Sequence, residues 1–340
     1  MNIKTLGIDL AKTTFQLHGV NELGRAILRK KVNRKELTLF MANLPKCTVF
    51  MEACATSHYW GRKFLAMGHE VKLIAAQFVK PFVRTQKNDR NDAEAIVECG
   101  LRPSMNFVAV KEIWQQDVQI LHRARKRAVR ARTALINQVK GLLAEYGFVV
   151  EETATKFRSV TLELIEDAEN DLTMSMRLVI KESLAEYDFL MKQIKLFDKE
   201  IKKIADQSED CQRLQAVPGV GVLGATAFIA SVGDAKIFKN GRHVGSWLGL
   251  VPKQHSTGGV PKLLSITKRG DPELRALLIH GARASLLTMK TKQKTDALSK
   301  WALNLLEKKG WGKASVALAN KMARIMWHLL AHKETYRAAA

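Results

Sequence analysis

Residues 3–20 read IKTLGIDLAKTTFQLHGV. The apolar run 3–8 has the length of a short buried strand that ends at Asp9. Residues 13–20 (TTFQLHGV) and 25–32 (RAILRKKV) predict two more strands, separated by turns that contain Gly or Asn. Asn33 is placed to cap a helix over 34–44, with Leu37, Phe40, Met41 and Leu44 on one face. Residues 47–51 (CTVFM) form a fourth strand ending at Glu52. A helix over 57–67, a strand over 70–75 (EVKLIA) and a helix from Asp89 to Cys99 follow. The order βββαβαβα predicts an α/β layer with a mixed sheet.

The whole chain has 340 residues, with 55 Lys and Arg against 33 Asp and Glu, a net charge of +22. That length suggests two domains or three. Hydrophobic residues make up 46 %, too many for a disordered basic tail. No apolar run approaches the roughly 20 residues that span a bilayer. Lys4, Asp9 and Lys12 interrupt the first apolar stretch, which excludes a secretory signal. Cys47, Cys54, Cys99 and Cys211 form no CxxC pair, so neither a zinc ribbon nor a disulfide scaffold is expected. Reduced thiols and a cytoplasmic, nucleoid-associated location are expected instead. A folded chain this basic calls for a polyanionic partner. Nucleic acid is the commonest, because each neutralised phosphate releases counterions.

The acids fall where such a sheet puts chemistry. Asp9 and Glu52 each end an apolar strand, at the C-terminal edge where open α/β folds bind ligands. Asp89 and Asp92 are three apart in KNDRNDAEAI, on one helix face. Four carboxylates without nearby His or Cys are hard oxygen ligands, suited to Mg²⁺ or Mn²⁺ and not to zinc. Two such ions about 4 Å apart would assist both the attacking and the leaving oxygen of a phosphodiester.

The middle of the chain is basic and helical. From Val118 to Ala144 there is no acid, while Arg123, Arg125, Lys126, Arg127, Arg130, Arg132 and Lys140 are all basic. Leu121, Ala128, Leu135 and Leu142 recur every seven residues, as do Val118, Arg125, Arg132 and Val139. Arginine fits poorly in a dry seam, so the N-terminal half is expected to face phosphates and the C-terminal half to pack. A second helix over 175–206 repeats Ile180, Leu184, Tyr187, Met191, Ile194 and Ile201, with Asp198 as its polar break. The two predict an antiparallel coiled coil, within the chain or between protomers.

Residues 210–340 hold 21 Lys and Arg against seven Asp and Glu, so +14 of the net charge lies there. LQAVPGVGVLGATAFIASVGD (214–234) resembles a helix-hairpin-helix, whose Gly219 and Gly221 turn would offer backbone N–H groups to a phosphate. The other reading is a Gly-capped turn inside a core. Lys290, Lys292 and Lys294 predict a further phosphate contact. Trp301, Trp311 and Trp327 belong to a region of predicted helices over about 296–309 and 313–332, at a spacing that reads as core and not as base-stacking platforms.

GIDLAKTTF, FMEACATSHYW and KNDRNDAEAI together resemble the DEDD transposases of bacterial insertion sequences related to the Piv DNA invertases. The fold implied is ribonuclease H-like, as in the RuvC-like Holliday-junction resolvases. GSWLGLVPKQHSTGGVPKLLSITKRGDPELRALLIHGARA (245–284) resembles the C-terminal transposase domain of the same family. The resemblance implies Asp9, Glu52, Asp89 and Asp92 as metal ligands. It also implies a serine beside glycine, after a Gly-Leu-x-Pro turn, as nucleophile on DNA. This chain has Ser256-Thr257-Gly258, with Thr directly before the glycine. Ser256 is the expected nucleophile because a primary hydroxyl is less hindered, with Thr257 the fallback. Lys253, His255, Lys268 and Arg269 are placed to hold or neutralise phosphate.

The expected organisation is a catalytic domain over 1–110, a helical coiled-coil region over 111–208 and a mainly α transposase domain over 209–340. The resemblance further implies donor and target DNA, a noncoding guide RNA that specifies sequence, and a homo-oligomer of two or four protomers. No helix-turn-helix or zinc finger for base readout is found. Two other classes compete. A nucleic-acid-binding scaffold with degenerate acids would share the charge. An actin-like ATPase would share GIDLAKTT, but needs a second phosphate loop that the sequence does not contain.

Overall fold

The computed structural model describes residues 2–83, 89–150 and 156–338, apart from the side chains of residues 89 and 90. Two compact units divide the chain, Met1–Ile113 and Trp114–Ala340. The helical middle and the C-terminal region thus share one unit.

The first unit is built on β1 (Thr5–Leu10), β2 (Thr14–Val20), β3 (Ala26–Asn33), β4 (Thr48–Glu52), β5 (Glu70–Ile74) and β6 (Phe107–Val108). Its helices are α1 (Arg34–Asn43), α2 (Ser57–Ala66), the short α3 (Ala76–Val79) and α4 (Asp89–Gly100). The sheet order is β3-β2-β1-β4-β5-β6. β1 runs antiparallel to β2 and parallel to β4, which is parallel to β5. The predicted mixed α/β layer is therefore present. Two details differ. β1 runs on through Asp9, which pairs with Gln16, so the acid lies within the strand. β6, two residues long, pairs with the edge of β5 and was too short to leave a periodic signal.

The period-2 alternation of β1 and β4 sorts their side chains onto two faces. Leu6, Ile8, Val49 and Met51 join Leu37, Met41, Trp60 and Phe64 of α1 and α2 in one buried core. Phe50 and Ile74 face the other way, against Ala95, Ile96 and Cys99 of α4. Asn33 caps α1 in a capping box: it accepts from the N–H groups of Lys35 and Glu36, and Glu36 accepts from its own N–H.

In the second unit, α5 (Ile113–Ala144) begins at the boundary, and α6 (Phe157–Glu166) and α7 (Met174–Asp206) follow. Ala128, Leu135, Ile136, Val139 and Leu143 of α5 share a core with Ile180, Leu184, Tyr187, Leu190 and Ile194 of α7. The helices run antiparallel: Arg125 pairs with Asp198, and further along α5 Arg132 donates to the Met191 sulfur. The expectation that the N-terminal half of α5 faces outward holds for one face only, which carries the exposed Arg123, Arg127 and Arg130. Gln115 and Gln119 donate to the Ala230 carbonyl, His122 bonds the Thr226 hydroxyl and Lys126 pairs with Glu273 at 2.6 Å. Polar side chains at that seam pack because the facing helices supply polar partners.

The remainder comprises α8 (Glu209–Gln215), α9 (Val222–Val232), α10 (Gly241–Trp247), the β7 (Pro252–Gln254) and β8 (Leu263–Ile266) hairpin, α11 (Pro272–Thr291) and α12 (Ala297–His332). α12 is broken at Gly310, whose φ of 75° is outside the helical range, so two helices follow each other there as the sequence predicts. Leu214, Phe228, Val244, Leu278, Met322 and Met326 lie in its core. Trp301 and Trp311 do not: they are 36 % and 44 % exposed, which corrects their assignment to the core. Among the described residues no helix is long and apolar enough to cross a membrane.

Candidate functional site

Asp9 and Glu52 are brought together by strand pairing. Ile8 is opposite Met51 in the parallel register, so Asp9 and Glu52 come next on adjacent strands. Both lie on the face covered by α4, because Asp9 is two residues beyond Gly7 and Glu52 two beyond Phe50. Both are half-buried. The Cys54 thiol reports their convergence. It is pushed up to about 11, chiefly by burial and then by the charges of Glu52 and Asp9.

Gly7 sets the distance of α4 from this edge. A Cβ there would stand 2.5 Å from Val97 Cγ2 and 2.6 Å from the Ala93 carbonyl oxygen. The helix backbone can approach β1 only because residue 7 has no side chain. Asp92 precedes Ala93 in the first turn of α4. Asp92 is half-buried. Asp89 opens α4, but its side chain lies outside those described. Among the described residues no group of three or more His, Cys, Asp or Glu is close enough to hold a metal ion. Two carboxylates side by side at the sheet edge nevertheless match the oxygen preference of a hard divalent cation.

The loop after β4 is tight. Thr56 has φ 74°, a costly conformation for a β-branched residue, and the Ser57 N–H and hydroxyl both donate to the Cys54 carbonyl. His58 follows, its imidazole lowered to about 4 by burial first and then by Lys111 and Arg62.

Ser256 and Thr257 lie in the other unit, on the β7–β8 hairpin, and both are exposed. Thr257 and Val260 form a bridge around Gly258 (φ 57°) and Gly259 (φ 76°). Positive φ at both central residues is the requirement of a two-residue hairpin turn matched to strand twist. The glycines thus serve the turn. Ser256 sits one residue outside it, and its hydroxyl oxygen accepts from the Gln254 amide at 2.7 Å. Lys253 and His255 are exposed on the same arm of the hairpin, and the His255 N–H donates to the Lys262 carbonyl.

The base of the hairpin is clamped. A Cβ on Gly249 would stand 2.3 Å from the Arg269 nitrogen, and one on Gly270 would stand 2.1 Å from the Trp247 carbonyl oxygen. Arg275, only 9 % exposed, donates to the Leu248 carbonyl at 3.1 Å and to the Arg269 carbonyl at 2.8 Å. It ties both ends of the hairpin to α11. Lys268 and Arg269 remain exposed beside it. Arg275 is a positioning residue that the motif reading missed. A charged side chain sharing a helix face with Leu278 and Ala282 was the available signal.

The basic helix divides. Arg125, Lys126 and Arg132 are engaged inside the unit, whereas Arg123, Arg127 and Arg130 are exposed at helical spacing on one face. The glycines of the α8–α9 turn divide too. Gly219 (φ 87°) meets the backbone of Gly281, where a Cβ would come within 2.5 Å of the carbonyl oxygen. Its conformation serves packing. Gly221, at the N-cap of α9, is exposed and has open space around it.

Residues 6–148 match the DEDD_Tnp_IS110 transposase family, and residues 211–298 match the Transposase IS116/IS110/IS902 family. A probable family 20 transposase of Pseudomonas aeruginosa is 45 % identical over 99 % of both chains. The transposase for insertion sequence element IS1111A of Coxiella burnetii is 45 % identical over 100 % of this chain and 93 % of its own. A pilin gene-inverting protein of Moraxella bovis is 22 % identical over 82 % of this chain and 81 % of its own. The chain belongs to the IS116/IS110/IS902 family of insertion-sequence transposases, and its activity is that of a DNA transposase.

Proposed function

We propose that this transposase uses a ribonuclease H-like carboxylate site and a serine nucleophile on the C-terminal hairpin. The observation that carries the reading is the register of β1 and β4, which sets Asp9 and Glu52 one step beyond the Ile8–Met51 pair on the face that α4 covers. Asp9, Glu52, Asp89 and Asp92 would hold Mg²⁺ or Mn²⁺. A divalent cation held there supplies Lewis acidity to a phosphate oxygen and neutralises charge at the leaving oxygen. The protein's part is to fix the carboxylates before DNA arrives, which the Gly7 approach and the strand register support.

The Ser256 hydroxyl attacks a DNA phosphorus, forming a phosphoserine bond and releasing a deoxyribose hydroxyl. The proton lost by the serine is matched by the one gained by the leaving oxygen. A hydroxyl from another strand then displaces the serine, so one ester replaces another and no ATP is consumed. The bond from Gln254 to the serine oxygen supports Ser256 over Thr257, which flanks the turn. Lys268 and Arg269 would neutralise the phosphate at the hairpin base. Four strand ends to manage favour two or four protomers. α5 and α7 would then act as a coiled-coil spacer, with Arg123, Arg127 and Arg130 presented to phosphates. A noncoding guide RNA pairing with donor and target DNA accounts for sequence choice without a base-reading motif.

The test is covalent trapping on a labelled DNA substrate. Asp9→Asn and Ser256→Ala are each expected to reduce strand transfer on the order of 10³-fold or more while nucleic-acid binding persists. Normal transfer by Asp9→Asn would sink the carboxylate site. Normal transfer by Ser256→Ala, with loss in Thr257→Ala, would move the nucleophile to Thr257.

A further inference from the structure

The second unit holds a cleft that the transposition reading leaves without a role. It has a volume of about 690 Å³ and lies between the start of α10, the second half of α12 and Trp301. Its titratable lining is Arg242, Lys321, Arg324 and His328; among the described residues no carboxylate lines it. The walls are held close by two glycines four apart on α10. A Cβ on Gly241 would stand 3.1 Å from Arg324 Cβ, and one on Gly245 would stand 3.0 Å from the Asn320 side chain. The cleft is thus formed by packing and does not depend on a mobile loop.

Its aromatic wall is unusual. Trp301 is exposed, and the Lys321 ammonium stands 4.4 Å from the centre of its ring. Trp327, by contrast, donates its indole N–H to the Ala235 carbonyl and is fixed as part of the frame. An exposed indole flanked by three cations and no anion suits a ligand that is flat and apolar at one end and anionic at the other. A nucleotide has that chemistry: its base stacks on the ring and its phosphate takes Lys321 and Arg324. The concave shape argues against duplex DNA, whose bases are stacked inside and whose phosphates need an outer surface. A volume of this size is that of a pocket for a small ligand. The cleft also meets a second one of about 670 Å³, with Lys321, Ile325 and His328 lining both; Glu334, 3.3 Å from His328, lines the second. That continuity suits successive nucleotides of one strand better than a free nucleotide.

We propose that this cleft binds an unpaired stretch of nucleic acid, with Trp301 as the stacking platform and Lys321 and Arg324 as the phosphate contacts. The proposal rests on the chain being a nucleic-acid-processing enzyme, and adds where it grips a strand that is not base-paired. DNA opened during strand exchange and a loop of RNA share this chemistry.

The experiment is equilibrium binding of the full chain, by fluorescence anisotropy, to three probes of one sequence: single-stranded DNA, single-stranded RNA and a blunt DNA duplex. Trp301→Ala is expected to lower affinity for an unpaired probe roughly tenfold, as loss of one base–aromatic stack does, and for the duplex less than twofold. Trp301→Phe should restore most of the loss, and Arg324→Gln should flatten the salt dependence by about one phosphate contact. The single strand showing the larger loss identifies DNA or RNA as the source. Unchanged affinity for both single strands in Trp301→Ala and Arg324→Gln overturns the cleft while leaving the transposase reading intact. An equal loss on the duplex also overturns it, because the contact would then be to phosphate alone. If the unaltered chain binds none of the probes, the cleft and the proposed function fall together.

Discussion

Asp9 and Glu52 sit in adjacent strands of a sheet with helices on both faces, whereas Ser256 and Thr257 stand on a two-stranded hairpin whose residues are nearly all exposed. On the proposed reaction, the difference matches what each group would have to do. Carboxylates that are to share a cation repel one another, so the fold must hold them together, and half-burial in a packed sheet does so. A nucleophile that must reach a phosphate on a wide duplex gains from standing clear of the surface. Such a group still needs a defined base. The hairpin obtains one from two backbone close approaches and a buried guanidinium.

Glycine is used differently in the two regions, and this gives the largest expected effect. Gly7 is needed for space, Gly258 for its φ of 57° in open surroundings. Gly7→Ala drives a methyl into a helix backbone and should cost about 3 kcal/mol of stability in the first unit. Gly258→Ala should cost roughly 1 kcal/mol, as left-handed strain alone. Chemical denaturation of both variants checks the ordering, and equal losses would break the contrast.

Arg275→Met comes next. It leaves the carbonyls of Leu248 and Arg269 without their donor, at about 1–3 kcal/mol. The Thr267 and Lys268 amides bond the Val251 and Gly249 carbonyls at the hairpin base. Their hydrogen-exchange protection should fall while that of β1 and β4 stays. Unchanged protection would mean that the glycine contacts alone fix the hairpin.

The smallest effect is one of pH, confined to the first unit. The lowered pKa of His58 means that the unfolded chain takes up a proton first as pH falls. Its contribution is fully present above about 6.5 and is lost as pH drops towards 4, on the order of 1 kcal/mol after allowance for solvent screening. Exchange protection of β4 and α2 measured at pH 7 and pH 5 should show it, and His58→Gln should remove the pH dependence.

Local pattern carried far in the first unit. Strand alternation, the Asn33 cap and the order of elements were legible because each depends on residues a few positions apart. The placing of Asp9 and Glu52 at one edge was legible for the same reason. β6 was not, since two residues carry no period. In α5, heptad spacing located the seam but not its partners. Arg125 and Arg132 looked unsuited to it because Asp198 and Met191 lie more than fifty residues away in sequence. The spacing of Trp301 reads as core, yet the apolar face of its helix is taken up by Leu298 and Ala302.

The sequence by itself determined the charge balance, the mixed α/β layer, the acids at strand ends, the Gly-rich turn beside two hydroxyls, and a resemblance to transposases. Only the tertiary structure decided which cations stay exposed, which glycines serve space and which serve φ, and that a tryptophan opens onto a basic cleft. Periodicity is a property of neighbours along the chain. Burial and pairing are settled by what the distant chain brings to the other side.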